Sequence, residues 1–100
     1  MKVVFSRIAL GELDSILDHI ATISPGGAIR VEAHVREVID RIARYPQGGQ
    51  QVAERPGVRR VPLVRYPHVI YYVTEADAVT ILRIIHGARR QPWDESPDPL

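Results

Sequence analysis

The chain contains no cysteine, which excludes a disulfide framework, a thiolate nucleophile and any metal site built on sulfur. It contains a single lysine, Lys2, so almost all of its positive charge is carried by arginine. No apolar run approaches the ~18 residues that a membrane-spanning helix requires. Met1-Lys2 leads directly into Val3-Val4-Phe5 and Ser6-Arg7, too short a stretch for a secretory signal. A reducing, cytoplasmic setting with no membrane contact is therefore expected. There is also no phosphate-binding glycine loop, because Gly26-Gly27 and Gly48-Gly49 lack the flanking pattern. The four histidines, His19, His34, His68 and His86, show no zinc-type spacing, and His19 and His34 are expected on helix surfaces. No paired carboxylates stand out for acid–base work, since nearly all acidic residues fall on outward helix faces. No metal ion and no cofactor are expected.

What is present suits one soluble domain. One hundred residues, 45% hydrophobic and 25% charged, are enough for a single core. A chain of this length buries roughly two-thirds of its unfolded surface. The domain is expected over residues 1–93, with residues 94–100 as a flexible C-terminal tail containing Pro97 and Pro99. A net charge of +1 conceals a division along the chain. Residues 55–90 carry seven arginines against only Glu75 and Asp77, while the last ten residues hold Asp94, Glu95 and Asp98. The basic block is either a solvated sheet edge or a surface for an acidic partner. Its arginines favour planar, bidentate contacts over point-charge attraction.

Local pattern gives the elements. Val3-Val4-Phe5 is short and β-rich, and Ser6 has the character of a helix N-cap. From there Ile8, Ala9, Leu13, Ile16, Leu17, Ile20 and Ile23 follow helical spacing, with Glu12, Asp14 and Asp18 mostly on the other side. Ser24-Pro25 repeats the start signal, a capping hydroxyl before a proline at the first helical position. The second helix is expected to turn Ile29, Val31, Val35, Val38, Ile39, Ile42 and Ala43 inward. Tyr45-Pro46 and Gly48-Gly49 end it, and residues 46–57 read as loop. Three strands are expected at Val58 to Val64, Tyr66 to Thr74 and Val79 to His86, with Glu75-Ala76-Asp77-Ala78 turning between the last two. Pro62 marks an edge strand or a bulge. The order β-α-α-β-β-β segregates helices from strands, so the fold class is α+β. A helical hairpin should pack on one face of a mainly antiparallel sheet.

Strict alternation along the last strand sets Thr80, Leu82, Ile84 and His86 against Val79, Ile81, Arg83 and Ile85. In the preceding strand Val69, Tyr71 and Val73 oppose Ile70 and Tyr72. Both faces are apolar, yet two helices cover only one. The second face needs either a partner polypeptide or a fold-back of loop and tail residues such as Trp93. Arg83, set among apolar residues, needs an anionic or hydrogen-bonding partner. The remaining polar chemistry is Arg59, Arg60, Arg65, Arg83, His86, Arg89 and Arg90, interleaved with Tyr66, Tyr71, Tyr72 and Trp93. Such a set suits nucleic acid and protein interfaces equally.

The sequence resembles the ParE-type toxins of the RelE/ParE superfamily, also known as plasmid stabilisation proteins. The resemblance is carried by Val4-Phe5-Ser6, Ala9, Glu12-Leu13, Ser24-Pro25, Tyr45-Pro46, Gly48-Gly49 and Gly57-Val58-Arg59. It is strongest over Arg65-Tyr66-Pro67-His68-Val69-Ile70-Tyr71-Tyr72 and Ile81-Leu82-Arg83-Ile84-Ile85-His86-Gly87-Ala88-Arg89, and spans roughly residues 3–93. It implies the toxin of a type II toxin–antitoxin pair, neutralised by a ParD-like antitoxin in a hetero-oligomer. Freed, such a toxin arrests growth, in ParE-type members by inhibiting DNA gyrase. No DNA binding by this chain alone is implied. Target contact would fall to Arg59, Arg60, Arg83, Arg89, Arg90 and Trp93. Antitoxin contact would fall to Leu13, Leu17, Val69, Tyr71, Val73, Val79, Ile81 and Ile85. The other branch, the RelE type, cuts messenger RNA on the ribosome, and would here use Arg65, Arg83 and His86 on a phosphate. The near absence of lysine favours the protein-directed reading.

Overall fold

The structure, a computed structural model, describes residues 1–87. The expected boundary at 93, the tail 94–100 and the side chains of Arg89, Arg90 and Trp93 lie outside the described residues. Strand β1 (Lys2–Phe5) leads into helix α1 (Arg7–Ile23), whose N-cap is Ser6. The Ser6 hydroxyl accepts the Ala9 N–H at 2.9 Å. Ser24 serves both helices. Its N–H donates to Ile20 O at 2.7 Å, closing α1, and its hydroxyl accepts the Gly27 N–H at 3.0 Å, opening α2 (Pro25–Arg44). With one residue between them, the helices fold into the expected hairpin.

Strands β2 (Gln50–Gln51), β3 (Val58–Pro62), β4 (His68–Glu75) and β5 (Ala78–His86) complete a five-stranded sheet of order β1-β5-β4-β3-β2. Only the β1–β5 pairing is parallel. β2 lies in a stretch expected to be loop. Two residues carry no periodicity to read, and their pairing with Arg59 and Arg60 comes from the chain doubling back. Pro62 sits at the end of β3, beyond the reach of β2, where its missing N–H costs no ladder bond.

The helix-side core gathers Ala9, Val31, Val35, Val38, Ile39 and Ile42 onto Ile70, Tyr72, Val79, Ile81 and Ile84. Tyr72, the largest fully buried side chain, donates from its hydroxyl to Pro46 O at 2.8 Å and accepts the Gly49 N–H at 3.0 Å. This fastens the post-helix loop to the sheet. Ile29 does not join the core and is exposed. It precedes Val31 by two residues, which places it about 160° round the helix from that side chain. Ile8 and Ile23, at the two ends of α1, are exposed as well, and Ala43 is only half-buried.

The alternation expected of β5 fails at one point. Tyr71 pairs with Arg83 and Tyr72 with Ile81, so Leu82 is the extra residue of a β-bulge. Before the bulge Val79 and Ile81 face the helices, and after it Ile84 does. Residues of opposite parity thus share a face. The outer face carries a second cluster of Val52, Val58, Val69, Tyr71 and Ile85, with Val73 and Leu82 packed against it. Of the two covers expected for this face, residues of the chain itself supply one. In the chain alone Val69 and Tyr71 are 3% exposed and Ile85 4%. The post-helix loop contributes Val52 to it, and the bulge contributes Leu82.

Candidate functional site

Where β1 stops, side chains of α1 take over the edge of β5. The Ser6 N–H donates to Ile81 O at 2.9 Å, and its hydroxyl donates to Leu82 O at 2.8 Å. Two residues on, Glu12 accepts the Ile84 N–H through Oε1 at 2.9 Å. Its Oε2 accepts from Arg83 Nε at 2.9 Å and Nη2 at 2.7 Å. Both side chains of this ion pair are largely buried, at 27% and 19% exposure. The anionic partner expected for Arg83 is therefore supplied by the chain itself. Glu12, expected on the polar side of α1, turns toward the sheet because the bulge presents a backbone donor and a guanidinium there.

Beside this clamp lies an open cleft of about 550 Å³, lined by Ile8, Gly11, Glu12, Ser15, His68 and His86 among others. Gly11 has nothing among the described residues within 4 Å of where a Cβ would stand, so no packing among them requires glycine there. His68 and His86 face one another across β4 and β5 with ring centroids 5.6 Å apart. Burial, and secondarily the neighbouring His86, push the His68 pKa below the usual 6.5. Sequence spacing gave no sign of this pair, which exists only through strand register.

The remaining candidates are dispersed. Arg59 is committed to the loop after α2, donating to Gln47 O at 3.0 Å, Gly49 O at 2.7 Å and Gln47 Oε1 at 2.7 Å. Arg60 stands opposite Tyr71, its Nε buried with no hydrogen-bond partner among the described residues. Arg65 is exposed, adopts a left-handed conformation (φ 73°), and lines a different cleft with Arg30, His34 and Tyr66. His34, expected on a helix surface, instead accepts the Val64 N–H at 3.1 Å and pins the β3–β4 loop. Arg65 and His86 line different clefts, and Arg83 is held by Glu12 at the border of the second.

Of the residues expected to meet a partner, Val79 and Ile81 are wholly enclosed under the helices, and Val69, Tyr71 and Ile85 lie in the outer cluster. Val73, Leu13 and Leu17 are half-buried. The exposed large apolar residues lie elsewhere, including Val4 on the edge strand and Leu10 on α1. Leu10 borders a groove formed with Phe5, Leu13, Val35 and Ile39 and rimmed by Glu32 and Arg36. Sequence periodicity missed this groove because it assigned Leu10 no face.

A helical hairpin on a five-stranded, mainly antiparallel sheet, with an apolar groove beside the hairpin, defines a small α+β protein. The chain belongs to the ParE toxin family of type II toxin–antitoxin systems (parDE), whose description matches residues 3–91. It is similar to Toxin RelE2 of Caulobacter vibrioides, 34% identical over 88 residues, covering 88% of this chain and 97% of that protein. It is also similar to Putative toxin Y4kP of Sinorhizobium fredii, 34% identical over 88 residues, covering 84% of this chain and 85% of that one. Among solved structures, the chromosomal ParDE toxin–antitoxin system from P. aeruginosa superposes with a TM-score of 0.76 at 30% identity. The match covers 86% of this chain and 95% of that one.

Proposed function

We propose that this toxin is held inactive by a cognate ParD-like antitoxin and, once free, arrests growth by binding DNA gyrase rather than by cutting RNA. The observation that carries the choice of target is the dispersal of the nuclease set. A phosphate-cleaving site needs its cationic and acid–base groups converging on one reacting atom. Here Arg83 is paired to Glu12 and Arg65 lines a separate cleft from His86. Cytoplasmic action follows from that target.

The antitoxin's place is the groove floored by buried Val35 and Ile39 and half-buried Phe5 and Leu13, where an amphipathic segment covers the exposed Leu10 at its border. This shifts the contact from the sheet face and first helix together to the hairpin and the edge strand. Leu13 alone of the originally expected contact residues lines it.

One observation favours the ribosome-dependent endoribonuclease as a second reading: His86 and His68 share an open cleft, with room for a substrate. Induced expression separates the two. Filamentation with DNA-damage signalling is expected for gyrase inhibition. Immediate loss of protein synthesis with cleaved transcripts would establish the nuclease instead, and undisturbed growth would remove both.

A further inference from the structure

The sheet register brings together two histidines that lie far apart in sequence. His68 and His86 stand directly opposite one another on β4 and β5. The Gly87 N–H donates to Pro67 O at 2.6 Å, the bond that flanks a pair lacking mutual backbone hydrogen bonds. In such pairs the Cα atoms approach to about 4.5 Å and the side chains come closest. The rings meet edge to face, 5.6 Å between centroids and 72° between planes. The His68 Nδ1 is buried and has no hydrogen-bond partner among the described residues. Both rings border the same open cleft, so an incoming ion has a path to them.

Imidazole nitrogens hold zinc at about 2.0–2.1 Å, and each ring centre lies roughly 1 Å further out, so two rings on one ion have centroids from about 4.5 Å apart at a right angle, through about 5 Å at a tetrahedral one, to about 6 Å in line. The observed separation falls in that range. We propose that His68 and His86 form a two-imidazole site for a borderline divalent transition-metal ion, copper(II), nickel(II) or zinc(II), with water in the remaining positions.

The donor set decides the class of ion. Imidazole suits copper, nickel and zinc, whereas magnesium and calcium require oxygen ligands. Glu12 borders the same cleft, but both its oxygens are engaged by Arg83 and Ile84. Among the described residues no third histidine, cysteine or carboxylate completes a cluster. With two imidazoles as the ligands among the described residues, the ion is expected to exchange readily. An ion there ties the end of β5 to the start of β4, so it binds the folded chain in preference to the unfolded one and stabilises it. None of this depends on which target the toxin has.

The test uses the untagged full chain titrated with copper(II) chloride and nickel(II) chloride, and with magnesium chloride as control. The expected copper(II) paramagnetic-resonance spectrum shows coupling to two imidazole nitrogens, with one ion per chain. His86→Gln is an exposed change at a strand end and should keep the fold by circular dichroism. It is expected to weaken copper(II) binding on the order of tenfold or more and to abolish the rise in Tm that nickel(II) gives the parent. His19→Gln should leave both unchanged. Undiminished affinity in His86→Gln, coupling to a single nitrogen, or an equal Tm rise with magnesium would each overturn the site.

Discussion

Glu12 and Arg83 close the sheet where its edge strand ends. Phe5 is the last residue of β1 to pair with β5, at Ile81. The next β5 donor facing that side, the Ile84 N–H, goes to Glu12 Oε1, and the Arg83 guanidinium is held by Oε2. One carboxylate thus replaces a strand and neutralises the bulge's charge. An exposed β edge invites unwanted pairing, and a side-chain cover removes that hazard.

Glu12→Ala should cost about 2 kcal/mol, since a charge-assisted bond is lost and the Ile84 N–H is stranded. That is a Tm fall on the order of 10 °C for a domain of this size. The comparison with Arg83→Ala separates structure from recognition. If Arg83 acts only through Glu12, both variants lose toxicity in proportion to their loss of stability. If Arg83 touches the target, Arg83→Ala loses toxicity well beyond Glu12→Ala at matched Tm. Thermal unfolding beside growth assays reads both.

Two glycines should respond in opposite directions. Gly11 has open space around it in mid-helix, so Gly11→Ala should stabilise the fold by up to about 1 kcal/mol. A Cβ on Gly49 would stand 2.5 Å from the Tyr72 hydroxyl oxygen. Gly49→Ala should therefore destabilise by about 2 kcal/mol, breaking the bonds from Tyr72 to Pro46 and Gly49. Denaturant unfolding midpoints decide this, and equal shifts of like sign would contradict the packing described.

Acid should weaken the fold through His68. Its folded pKa lies below the unfolded 6.5, because burial and then His86 disfavour its charge. As pH falls through 6.5, the unfolded chain takes up the proton first, so this contribution is intact above 6.5 and is lost below it. In chelator-treated buffer, unfolding free energy should drop from pH 7 to 5, and His68→Gln should flatten that slope. An unaltered slope in the variant would assign the acid sensitivity to other groups.

The sequence by itself determined the helices, most of the strands and the family. Ser6 and Ser24 fix helix boundaries through contacts within three residues, and Val31, Val35, Val38 and Ile42 repeat at helical spacing. Such signals are local, so spacing along the chain records them. Only the tertiary structure decided which strand residues share a face. A single bulge at Leu82 shifts every later β5 side chain by one parity, burying Val79, Ile81 and Ile84 together. The same register created the Glu12–Arg83 clamp and set His68 against His86. Contacts of this kind join residues distant in the chain, and a one-residue slip would dissolve them, so no local pattern could have announced them.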